Sequence, residues 1–145
     1  MNAQQLRYTV LQWLKVEREG LLVIIESFGF KYGVPSNVDF VFDMRSLPNP
    51  YYDEELRPFN GLDKVIQDYL DQQPLAQEMI EDIDQFMSRW LPRMQIESRS
   101  YVTIGLGCTG GQHRSVYVSE RLATRLRENY KLLVRHRQLA KLAER

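Results

Sequence analysis

Apolar residues along this chain recur in two rhythms, one of three and four residues and one of two. Near the start, Leu6, Val10 and Leu14 share one helical face. Asn2 stands three residues before Gln5, the spacing of a capping box, so a helix from there to about Val16 is expected. The run "GLLVIIESFG" is apolar, β-branched and closed by glycine, which predicts a buried strand. "NVDFVFDMR" alternates instead, with Val38, Phe40 and Phe42 on one face and Asp39, Val41 and Asp43 on the other.

"SLPNPYYDEELRPFNG" carries three prolines and two asparagines and reads as a long irregular loop, a feature that is often functional. Asn60 is placed to cap a helix from about Gly61 to Gln72. A second helix follows Pro74, with Met79, Ile83, Phe86 and Trp90 as an apolar stripe that reads as core. "SYVTIGLG" predicts a third strand. Val118, Leu122 and Leu126 then line a helix to about Asn129, "KLLVRH" reads as a last strand, and "RQLAKLAER" as a short basic helix or tail. Strands alternating with helices predict an α/β fold, a single three-layer domain with a largely parallel sheet. Its ligand belongs at the carboxyl ends of the strands.

Composition narrows the class. The 145 residues are 43% hydrophobic, ordinary for one globular domain, and no apolar run has the length of a membrane span. No signal-peptide pattern opens the chain, and a lone cysteine rules out an internal disulfide, so a cytoplasmic protein is expected. The net charge of zero hides a segregation. Tyr51 to Met87 holds ten acidic and two basic residues, while Arg121 to the end holds eight basic and two acidic ones. That pattern marks either a polyanion-binding end or two faces that meet in the fold.

The chemistry concentrates in "LGCTGGQHRS", between a strand and a helix. A helix start offers unpaired amides and the positive end of its dipole to an anion. Gly110 and Gly111 permit close backbone approach. Thr109, His113, Arg114 and Ser115 add donors, and the arginine fork suits phosphate. The plain alternative is a strand–turn–helix junction with incidental polar residues. Gly105-x-Gly107-x-x-Gly110 matches a dinucleotide fingerprint but comes too late in the chain, and "LVRHR" lacks the ribose-binding acid. A Walker A loop fails because Gln112 stands where its lysine belongs. Cys108 through Ser115 also reproduces C-x-x-G-x-x-R-[ST], the phosphate loop of cysteine-dependent phosphatases. In such an enzyme Cys108 would be a thiolate nucleophile and Asp43 a general acid. Gly107 departs from that pattern, which usually has histidine before the cysteine.

"ESFGFKYGVP", "VFDMRSLPNPYYDEELRPFNGLD" and "GCTGGQHRSVY", in that order, resemble the carboxy-terminal domain of the RapZ family of RNase adapter proteins, over about residues 20–138. In full-length members this domain follows a P-loop kinase-like one, which these 145 residues do not contain. Residues 1–18 then look like the linking helix and 19–145 like the sensing domain. The resemblance implies a non-catalytic sensor that binds glucosamine-6-phosphate, with no cofactor or metal. It further implies small regulatory RNA and an endoribonuclease as partners, and it admits a homo-oligomer.

By motif position, the resemblance puts the sugar pocket on Lys31, Asp43, Arg45 and Tyr51. The phosphate end falls on Cys108, Thr109, Gly110, Gly111, His113 and Arg114. Enterobacterial relatives carry histidine at Tyr51 and lysine at Gln112. The residues themselves leave alternatives open. Asp43 can hold a sugar ammonium, or pair with Arg45 or cap a turn. Lys31 can reach the phosphate or stay solvated, and Arg45 can brace the acidic loop through Asp53 or Glu54. Tyr51 can meet the sugar or only pack, and His113 can be a surface residue at the helix start. At the basic end, Lys131, Arg135, Arg137 and Lys141 can contact RNA phosphates or form a solvated or intersubunit face.

Overall fold

The computed structural model describes residues 2–9 and 20–139. Four strands form one sheet: β1 (Leu22–Gly29), β2 (Phe40–Asp43), β3 (Tyr101–Cys108) and β4 (Lys131–His136). Their order is β2-β3-β1-β4, and every neighbouring pair is parallel. Three helices connect them: α1 (Lys64–Asp71) and α2 (Pro74–Ile96) between β2 and β3, and α3 (Arg114–Leu126) between β3 and β4. This is the expected α/β architecture, and parallel pairing explains why β1 is buried along all eight residues.

One face of the sheet carries the main core. Val23, Ile25, Val102, Ile104 and Leu106 pack there against Ile66 and Leu70 of α1, Ile80, Ile83 and Met87 of α2, and Val118 and Leu122 of α3. Among the described residues the opposite face is covered only in part. Residues 3–9 are helical, and Leu6 and Leu133 pack there against Leu22 and Ile24. Among the described residues, this short segment is what forms the third layer. Its capping box forms as expected, with Asn2 N–H donating to Gln5 Oε1 and Gln5 N–H to Asn2 Oδ1, both at 2.8 Å. Val10, Leu14 and Val16 lie outside the described residues.

Three helical expectations are corrected. Helix α1 starts at Lys64, not Gly61, because the Asn60 side chain accepts from Leu62 N–H at 2.8 Å and closes a local turn instead. The buried stripe of α2 is Ala76, Ile80, Ile83, Met87 and Leu91. Phe86 is 41% exposed and stacks edge-on with Phe40 and Phe42 of the sheet edge. Helix α3 ends at Leu126 rather than Asn129.

Part of the charge segregation is met where faces touch. Arg121 of α3 pairs with Asp71 at 3.1 Å, and Arg125 contacts Glu81 and lies 3.3 Å from Asp84. Among the described residues no helix is long and apolar enough to cross a membrane.

Candidate functional site

Strands β1, β2 and β3 end at a common rim, where Gly29 pairs with Cys108 and Asp43 with Gly107. The segments that follow them are tied together by backbone. Lys31 N–H donates to the Thr109 carbonyl at 3.3 Å, Met44 N–H to Gly107 at 2.7 Å, and Gly61 N–H to Gln112 at 2.7 Å. Two glycines are obligatory. Gly111 has φ +74°, and a Cβ on Gly61 would lie 2.6 Å from the His113 carbonyl oxygen.

Arg114 opens α3 and is 4% exposed. Its Nη1 donates to the carbonyls of Arg45 (2.8 Å) and Leu47 (3.0 Å), and its Nη2 to Thr109 Oγ1 at 3.4 Å. The guanidinium thus clasps the segment after β2 to the loop after β3. Nε is buried and has no acceptor among the described residues. A permanent cation with a donor to spare favours an oxyanion beside it.

His113, the preceding residue, is 8% exposed, and its Nε2–H donates to the Phe59 carbonyl at 2.5 Å. Burial pushes its pKa below the usual histidine value, against the opposing pull of the Phe59 and Arg57 carbonyls. A neutral, spoken-for imidazole pins the 57–59 segment rather than standing open to a ligand.

Asp43 and Arg45 face each other at the rim, both about half exposed. Arg45 Nε donates to both carboxylate oxygens at 3.0 and 3.1 Å, and Nη2 adds a bond of 2.8 Å. These bonds, with the nearby Arg114 charge, hold the Asp43 carboxyl below its usual range. The partner of Arg45 is therefore Asp43, not Asp53 or Glu54, and its guanidinium also stacks on Phe30 at 4.0 Å. Lys31 is exposed, its Nζ 5.1 Å from the Tyr32 ring. Tyr51 is 52% exposed, with the Arg57 guanidinium 4.6 Å from its ring.

Cys108 sits at the base of the loop, 2% exposed, its Sγ 3.1 Å from Ser115 Oγ. It belongs to the core cluster. Gly107 has a packing reason: a Cβ there would lie 2.6 Å from the rings of both Phe28 and Phe30. The histidine of the phosphatase pattern has no room at this position. Thr109 is exposed, and Gly110 borders open space. The described residues hold no cluster of metal-binding side chains.

The basic end lies elsewhere. Lys131 opens β4 and is exposed. Arg135 and Arg137 approach Glu26, a strand carboxylate only 3% exposed, at 3.7 and 3.3 Å. They border a groove of about 960 Å³ beneath residues 2–7, lined also by Arg7, Asp39 and Arg99. Lys141 lies outside the described residues. Glu26 escaped the sequence reading because it interrupts an otherwise apolar strand without any motif around it.

A phosphate-loop-like turn between a parallel strand and a helix, braced by a buried arginine, marks this small α/β domain. Comparison with known proteins makes this specific. The family described as the RapZ C-terminal domain matches residues 21–140, and the chain belongs to that family. It is 70% identical over 145 residues to "Nucleotide-binding protein NMB0738" of Neisseria meningitidis serogroup B, covering all of this chain and 51% of that protein. A "Nucleotide-binding protein" of Paraburkholderia phytofirmans is 53% identical over 137 residues, 94% of this chain and 46% of the relative. The chain thus spans about half the length of the curated relatives it matches.

Proposed function

We propose that this domain is a non-catalytic sensor of an amino-sugar phosphate, with glucosamine-6-phosphate as its ligand. The observation that carries the reading is the buried Arg114 guanidinium, its Nε without an acceptor, beside the glycine-rich loop at the start of α3. That loop supplies the phosphate end, through Thr109, the amides around Gly110 and Gly111, and the nearby Lys31. Asp43 supplies the other end: a half-exposed carboxylate kept ionised, able to accept an ammonium alongside Arg45. Tyr51 completes it with a ring and a hydroxyl at the rim.

A ligand held without turnover suits a regulator. We extend the proposal to an RNase adapter role in the cytoplasm, with small regulatory RNA meeting Lys131, Arg135, Arg137 and Lys141. An endoribonuclease and a further copy of the chain are the protein partners of this reading. The runner-up, a cysteine-dependent phosphatase, conflicts with a thiol that is 2% exposed and part of the core.

Calorimetry with glucosamine-6-phosphate, glucose-6-phosphate, glucosamine and inorganic phosphate tests the sensor. Saturable binding strongest for glucosamine-6-phosphate is expected. Asp43→Asn should erase its advantage over glucose-6-phosphate, about 1.5–3 kcal/mol for a charge-assisted bond. Absence of binding by every phosphate compound would refute the reading. Phosphate-ester hydrolysis that disappears in Cys108→Ser would assign the loop to a phosphatase instead.

A further inference from the structure

We infer that Gln138, which lies outside every motif of the loop, is a positioning residue for the anion site. The β1–β4 ladder stops at Ser27 and His136, and residues 137–139 turn into a helix. The Gly29 amide, two residues further along β1, is met instead by the Gln138 side chain, whose Oε1 accepts from it at 3.2 Å. Gln138 is 4% exposed, so this is a buried rung made by a side chain where the backbone has left the sheet.

The same side chain forms the floor of the loop. A Cβ on Gly111 would lie 2.6 Å from Gln138 Cγ and 2.6 Å from the Gly29 nitrogen. A Cβ on Gly29 would lie 2.6 Å from the Gly110 carbonyl carbon. Neither Gly29 nor Gly111 therefore has room for a Cβ, and Gly111 keeps its φ of +74° against Gln138, while the open side of Gly110 faces away. Below, Ser27 Oγ and His136 Nδ1 lie 2.7 Å apart and stiffen the strand ends that carry it. The amides that would face an oxyanion are thus aimed from beneath by the far end of β4.

The ligand part of this inference rests on the sensor reading; the support of the loop does not. Gln138→Met keeps side-chain length and removes the acceptor, and Gln138→Ala also removes the floor. Calorimetry with inorganic phosphate and glucosamine-6-phosphate should show affinity weakened about three- to tenfold in the methionine variant, the factor for one net hydrogen bond. Amide exchange read by NMR should accelerate at Gly29 and at residues 110–112, and stay unchanged at Asp39 and Met44, whose amides bond to β3. A merely structural loss would instead speed exchange across the sheet. Wild-type affinity together with unchanged exchange at the loop would overturn the inference. If even the wild type binds neither compound, the sensor reading falls and exchange alone decides. Acceleration confined to Gly29 and the loop then upholds Gln138 as its support, and uniform or absent acceleration refutes it. Should the alanine variant fail to fold, the methionine variant carries the same comparison.

Discussion

His113 and Arg114 are adjacent, both buried, and answer burial in opposite ways. The imidazole sheds its charge; the guanidinium cannot and takes carbonyl acceptors instead. The pH consequence follows from the histidine. Its folded pKa lies below the ordinary 6.5, so between the two values the unfolded chain binds more protons. The stability it contributes is complete above 6.5 and is lost as pH falls toward the folded value. Asp43 and Glu120 are also held low, by Arg45 and by His136 respectively, but from ordinary values of 3.8 and 4.5, so their losses come at more acidic pH. Urea midpoints should therefore decline as pH falls through and below 6.5 in the wild type. His113→Gln, neutral throughout, should flatten that decline and leave the carboxylate loss below it. Identical profiles for the two proteins would show that His113 titrates alike in both states.

At the scale of elements, Arg114 joins what the chain keeps far apart, since its acceptors Arg45 and Leu47 lie 69 and 67 residues away. Arg114→Ala should destabilise the fold by about 1–3 kcal/mol, the cost of leaving a buried carbonyl unsatisfied. Arg114→Lys should recover only part, because a point charge cannot span two carbonyls. Chemical denaturation measures both, and an alanine variant as stable as wild type would leave the clasp without energetic weight. This clasp also marks where sequence reading stops. The strands were legible because "LLVIIESFG" and "YVTIGLG" are continuous apolar runs that a parallel sheet requires. The loop was legible because glycines and donors follow one of those runs. The backbone acceptors of Arg114 have no side-chain identity and leave no trace in the sequence. Likewise the face of α2 was misjudged because Phe86 and Trp90 are large and apolar, yet Phe86 covers the sheet edge and Trp90 lies against Phe86, while Met87 and Leu91 fill the core. Gln138 was missed for the same reason as the clasp: its partner is an amide of another strand.

Across the whole molecule, the acidic middle and the basic end cancel where α3 lies against α1 and α2, through Arg121 and Arg125. The remaining candidates for a polyanion are on β4 and just after it, where Glu26 already draws on Arg135 and Arg137. Any RNA affinity should be electrostatic and fall steeply with salt, because bound cations displace condensed counterions. Each lost phosphate contact flattens the log–log salt slope by roughly one unit. Lys131→Gln with Arg137→Gln should flatten it by less than two such contacts would, since part of the Arg137 charge is spent on the buried Glu26 carboxylate. The change should be alike for unrelated RNA sequences, because phosphate contacts position a duplex or hairpin without reading it. Filter binding of structured RNA across a salt series measures both effects. If the double variant binds as tightly as wild type at every salt, this edge of the sheet is an assembly or solvated face. A loss confined to one RNA sequence would instead point to base recognition, which arginines held against a buried carboxylate are poorly placed to provide.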